Sequence, residues 1–145
     1  MKNALTRCAL LLLTLAGLVL APFQARAQDE VVVIVNRDNP HAIDRATLVA
    51  IYTGRVKGWA DGSPVFPLDQ PQSNALRETF YTQVIGRSVA NIQAIWAQNI
   101  FAGKGLPPKV ATPDGQMKHL VATNRNAIGY IRASEIDDTV RVVWP

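Results

Sequence analysis

Thiols are nearly absent from this sequence. Its one cysteine, Cys8, lies at the front of an apolar run close to the N-terminus, so neither a disulfide framework nor a cysteine-built metal site is expected. Histidine is almost as scarce. His41 and His119 stand far apart, with no carboxylate at ligand spacing, so no metal and no other cofactor is expected. A Gly-x-Ser-x-Gly elbow is missing too, and neither histidine has an identifiable orienting acid, so the residues read as a protein that is not an enzyme. Long hydrophobic runs are limited to residues 8–21, CALLLLTLAGLVLA, too short to span a bilayer comfortably. Lys2 and Arg7 precede that run and Ala25-Arg26-Ala27 follows it, the pattern of a secretory signal peptide over residues 1–27. Cleavage would start the exported, periplasmic protein at Gln28, without a membrane anchor. The basic excess leaves with the signal. Of the formal +4 charge, Lys2, Arg7 and Arg26 supply three, and the remaining twelve basic residues face eleven acidic ones, so no nucleic-acid partner is expected. There is neither an internal repeat nor a low-complexity tract, and residues 28–145 have room for one domain.

What is present alternates between strand and helix signals. Val31–Val35 is a run of five β-branched residues, apolar on both faces, which suits a central parallel strand covered on both sides. Asn36–Pro40 breaks it. Asp44 is placed to cap a helix carrying Leu48, Ile51 and Tyr52, with Gly54 as its stop. Val65–Leu68 is the next strand, and Pro67 inside it calls for an edge position or a bulge. Two helices are expected back to back. The first is capped by Ser73 and runs to Ile85 and Gly86. The second starts at Ser88, with Ile92, Ile95, Trp96, Asn99 and Ile100 on one stripe until Gly103. Thr112-Pro113-Asp114 opens a further helix carrying Met117, Leu120 and Val121. Ala127–Ile131 and Val140–Trp144 close the chain as strands. The fold class is therefore α/β, a small, mostly parallel sheet flanked by helices.

The stretch from Ile51 to Phe80 organises the candidate site: strand, polar loop and capped helix in succession present backbone N–H groups, a recipe for anion binding. Ser73 and Asn74 stand at the helix start and Arg77 lies one turn inside it. Asn36 and Arg37 end the first strand, where open α/β sheets bind ligands. Each has a plain alternative, a cap for Ser73, a solvated face for Arg77, turn residues for Asn36 and Arg37. Trp59, Trp96 and Trp144 read as packing, with Trp59, in a turn, the one candidate for an exposed partner contact.

Four pieces in order, Val31 through Ile51-Tyr52-Thr53-Gly54, then Val56-Lys57-Gly58-Trp59, Ser73 ahead of Phe80, and Asn126-Ala127-Ile128-Gly129-Tyr130, resemble the periplasmic phosphate-binding component of bacterial phosphate ABC transporters. The resemblance covers nearly all of residues 28–145 and amounts to a single lobe of that periplasmic-binding-protein-like fold. It implies a solute-binding, transport-related protein taking a small anion, with phosphate as the candidate. A second copy, a membrane transporter or another partner protein would supply the other wall. The alternative is a periplasmic interaction or regulatory module that keeps the fold without the ligand. The family signature is Arg, three residues, then Ser-Gly-Thr. Aligned through Ser73, this chain has Asp69 in place of Arg and Asn74-Ala75 in place of Gly-Thr. A carboxylate about 5 Å from an anion repels it by roughly 3 kcal/mol at an effective dielectric near 20, so phosphate affinity is expected to be weak.

Overall fold

The computed structural model describes residues 30–112 and 116–145. The expected signal peptide, its cleavage point before Gln28 and the helix start at Pro113-Asp114 lie outside the described residues. One mixed five-stranded sheet forms the centre, in the order β3-β2-β4-β1-β5. Its strands are β1 (Val31–Asn36), β2 (Phe66–Asp69), β3 (Lys109–Val110), β4 (Ala127–Arg132) and β5 (Val140–Trp144). The helices are α1 (Arg45–Tyr52), α2 (Ala75–Thr79), α3 (Val89–Phe101) and α4 (Gln116–Thr123). A π-helical segment, Phe80–Ile85, continues α2, and a 3-10 turn, Ala133–Glu135, follows β4.

The α/β class and the strand positions of the sequence reading hold; β1 is buried throughout and interior to the sheet, but it stands second from an edge, with β4 at the centre. The direction of β1 differs from expectation. β1 pairs antiparallel with β4, Val33 opposite Tyr130, and antiparallel with β5, Asn36 opposite Val140, while β2 runs parallel to both β3 and β4. An unbroken apolar run reports burial on both faces; it carries no information about the direction of the neighbours. Pro67 sits in β2, second from the sheet edge. The Phe66 N–H donates to Asn126 of the β4 side at 3.0 Å, so the next residue's nitrogen faces the β3 side, where pairing begins only at Leu68. The missing proline donor therefore leaves no ladder bond unmade.

α4 covers one face. Gly129 in β4 lies directly beneath it, and a Cβ there would stand 2.5 Å from Met117 Sδ. Tyr130, next along the strand, points to the opposite face, where its ring stacks on Phe80 at 3.8 Å between centroids. Tyr52 and Tyr81 join them edge-on, and the Tyr52 hydroxyl donates to the Leu68 carbonyl at 2.9 Å. α1 ends as expected at Gly54, with φ of 77°. Trp96 of α3 packs there so closely that a Cβ would meet its ring at 2.6 Å, and its indole N–H donates to the Tyr52 carbonyl. α3 begins on the expected Ser88 cap, whose hydroxyl accepts from the Asn91 N–H. Ile100, expected on the buried stripe, is instead exposed together with Phe101 at the last turn.

The helix start after β2 is shifted by one residue. Asn74 caps α2, its side-chain oxygen accepting from Leu76 N–H at 3.0 Å, and Ser73 is exposed. Both types cap well; the backbone turn Pro71-to-Asn74, closed by Asn74 N–H on the Pro71 carbonyl at 2.9 Å, brings Asn74 to the half-helical position.

Candidate functional site

β2 and β4 run side by side in the same direction, and beyond their carboxyl ends the chain turns into the Gln70–Asn74 loop and the 3-10 turn, respectively. The space between those turns and α4 is a cleft of about 570 Å³. Gln70, Ser73, Asn74 and Leu76 form one wall, Met117 and Lys118 the other, with Ile131, Arg132 and Glu135 below. In open α/β sheets this is where ligands sit. The polar groups are already organised. Gln70 donates from its side chain to the Tyr130 carbonyl at 3.2 Å and accepts from Asn74 Nδ2 at 3.3 Å. Lys118 bridges the Glu135 carbonyl at 3.1 Å and the Asp137 carboxylate at 2.6 Å. Lys118 and Thr139 hold the Asp137 carboxyl below the usual carboxylate range, at about 2.

Of the four ligand candidates, Ser73, Asn74 and Arg77 border one open depression of about 370 Å³ at the start of α2, and Asn36 lies apart. Ser73 and Asn74 line the cleft. Arg77 turns away from it, onto Asp69. Asn36 is at the other end of the sheet, because β1 runs antiparallel to β4 and its carboxyl end lies beside Val140 and near Ile128 rather than Arg132. The Asn36 amide donates to the Val121 and Ala122 carbonyls at 3.1 and 2.7 Å and its oxygen accepts from Asp38 N–H, tying β1 to the end of α4. Arg37 is exposed and donates to the Asp138 carbonyl.

Asp69 is the more informative residue. It is 4% exposed at the end of β2, and each carboxylate oxygen receives two donors. Oδ1 accepts from the Tyr130 hydroxyl at 2.5 Å and from Gln70 N–H at 2.8 Å. Oδ2 accepts from Arg77 Nε at 2.9 Å and the Tyr81 hydroxyl at 3.0 Å. Burial pulls the Arg77 pKa down, but the Asp69 charge and hydrogen bond outweigh it and the net shift is upward. Burial, then the Asp69 charge, pushes the Tyr81 and Tyr130 hydroxyls well above the ordinary phenol range. The sequence placed Asp69 correctly as an anomaly without showing what it pairs with. The eight-residue spacing to Arg77 spans a loop and a helix start, and no helical or strand period joins them. Lys118, Arg132 and Glu135 went unnoticed as cleft residues because they come from elements far along the chain.

The tryptophans pack. Trp59 is buried, donates to the Asn126 carbonyl at 3.2 Å and stacks on His41 at 5.1 Å, so it is not an exposed contact. His41 in turn pairs with Asp61 at 3.3 Å. His119 is exposed on α4.

Solved structures share this fold. One from Clostridium perfringens, assigned as a phosphate ABC transporter substrate-binding protein and holding bound phosphate, superposes with a TM-score of 0.64 at 24% identity, over 79% of this chain and 44% of its own. An ABC-type phosphate transport receptor from Vibrio cholerae gives a TM-score of 0.62 at 22% identity, over 79% and 45%. The chain thus spans less than half the length of the proteins it resembles. No curated protein matches the sequence. The pattern of the PBP superfamily domain, however, matches residues 24–144, and with the fold that it shares with phosphate transport receptors this makes the chain a member of the PBP superfamily domain family.

Proposed function

We propose that this protein is a periplasmic solute-binding module that takes a small oxyanion, phosphate or a relative of it, weakly and reversibly in the cleft at the carboxyl ends of β2 and β4. The observation that carries this reading is the convergence there of the exposed Ser73 hydroxyl and the Asn74 amide with the cations Lys118 and Arg132, in a family whose solved relatives include phosphate receptors. Signal cleavage before Gln28 would deliver the protein to the periplasm. No helix among the described residues is long and apolar enough to cross a membrane.

Weakness follows from two features. The cleft is open to solvent on one side, whereas tight sites bury about 70–90% of a ligand's surface. Its charge is also nearly balanced: Glu135 lines the cleft and Asp137 holds Lys118. A dissociation constant of about 1 mM is therefore expected for the isolated protein, tightening when a transporter subunit or a second copy supplies the other wall. The test is a phosphate titration followed by amide chemical shifts in the mature protein. Shifts should concentrate at Ser73, Asn74 and Lys118 and saturate near that concentration, and Lys118→Gln should weaken binding at least about tenfold, the effect of losing one charge-assisted contact. If phosphate and sulfate leave those amides unmoved at concentrations about 50-fold higher, the cleft is not an anion site.

A further inference from the structure

The four donors on Asp69 form a small enclosure built like an anion site: two phenol hydroxyls, a guanidinium and a backbone N–H, converging on one carboxylate with two donors per oxygen. Arg77 and Asp69 are 13% and 6% exposed at their side chains, so this ion pair is withdrawn from water. Isolated buried charges are unstable, and a cage of this completeness exists only around an anion. Asp69 also borders a shallow depression of about 320 Å³, shared with Arg77, Tyr81, Ile92, Trp96 and Val110, which opens to solvent beside α3. This depression is separate from the cleft assigned above: Asp69 lies on the Tyr130 face of the sheet, and the cleft walls include Met117 on the α4 face.

We infer that the Asp69 enclosure is a carboxylate-binding site occupied from within by the chain's own side chain, and that Asp69 is the residue by which the protein refuses free small carboxylates there. The side chain of aspartate beyond Cα is an acetate in shape and charge. Replacing it with glycine leaves Tyr81, Tyr130, Arg77 and the Gln70 N–H facing an acetate-sized space reached from the depression. Replacing it with alanine leaves room for formate but not for acetate. Tetrahedral phosphate, larger and more highly charged, does not fit the planar two-oxygen geometry.

The experiment compares thermal midpoints of the wild type, Asp69→Gly, Asp69→Ala and Asp69→Asn in acetate, formate, phosphate and chloride at equal ionic strength. Acetate at ten times its dissociation constant should raise the Asp69→Gly midpoint by about 6 °C over chloride. Formate, and not acetate, should do so for Asp69→Ala. The wild type and the isosteric Asp69→Asn should not respond, because the space is filled. Should Asp69→Gly fail to fold in chloride, its refolding yield in acetate becomes the readout and should be recovered at least several-fold. The inference is overturned if Asp69→Gly is indifferent to acetate in both measurements, or if the wild type or Asp69→Asn shifts by as much. Phosphate binding in the cleft, read at Ser73 and Lys118 in the wild type, is scored separately, so either result stands without the other.

Discussion

All three tyrosines of the chain, Tyr52, Tyr81 and Tyr130, sit in one buried cluster around Phe80, so tyrosinate absorbance reads this cluster and nothing else. Burial raises each hydroxyl's pKa; for Tyr52 the neighbouring Tyr81 and Asp69 add to it, and for Tyr81 and Tyr130 the Asp69 charge and hydrogen bond do. The native protein therefore keeps three protons above about pH 10, where the unfolded chain gives them up. Folded pKa values that are raised make a contribution that is whole below the unfolded value and is lost as pH climbs past it. With three protons, stability falls by about 4 kcal/mol per pH unit above that point. A domain with about 5–15 kcal/mol to lose should unfold between about pH 11 and 13.5. Tyrosinate absorbance and far-ultraviolet circular dichroism, followed through an alkaline titration, should change together in one cooperative step. A gradual tyrosinate signal near pH 10 with native dichroism would show that the ring cluster is open to water and would refute the packing argument. One ring ionising early while two stay silent would locate the opening at that residue.

Two further outcomes follow from the same region. In a double-mutant cycle, Arg77→Met alone should destabilise by about 3 kcal/mol by leaving Asp69 charged and buried, while the double variant with Asp69→Asn costs less than the sum by about 1.5 kcal/mol or more. Urea denaturation decides it, and a coupling under about 0.5 kcal/mol would mean the pair contributes little. At the start of α2, Asn74→Ala should cost about 1 kcal/mol through the lost cap, and Ser73→Ala should stay within about 0.5 kcal/mol, reversing the order expected had Ser73 been the cap.

The elements themselves were legible because their signals are local. Val31–Val35 gave β1, Asp44 and Gly54 bracketed α1, and Ser88 opened α3, each by a cap, a breaker or a period that a short window contains. β3, of two exposed residues, carries no such signal, and the π-helical segment keeps the apolar spacing of an ordinary helix. Strand direction was not legible either, since it is a relation between β1 and residues about a hundred positions away. That one error propagated to the site: with β1 antiparallel, Asn36 leaves the ligand end of the sheet and spends its amide on α4.

Asp69 shows how a pairing changes the electrostatic argument. Taken alone, a carboxylate in the position of an arginine predicts repulsion of about 3 kcal/mol against an incoming anion 5 Å away. The structure places the Arg77 guanidinium against it at 2.9 Å. An anion in the neighbouring cleft then meets a neutral pair, whose field falls off faster than that of a single charge, and most of the repulsion disappears. What remains is a loss of attraction. Arg77, the cation one turn inside α2, gives its Nε–H to Asp69 and does not line the cleft, and its absence there removes a charge-assisted contact of about 1.5–3 kcal/mol, one to two decades in dissociation constant. Weak binding thus follows from a cation diverted rather than from an acid added. Asp69→Asn alone removes the partner charge of Arg77, but the guanidinium also lies over the Tyr81 ring, 5.2 Å from its centroid, and borders a depression at the start of α2 beside Ser73 and Asn74 rather than the cleft itself. Affinity in the cleft should respond instead to charge placed where the cleft is lined, at Lys118, Glu135 or Asn74.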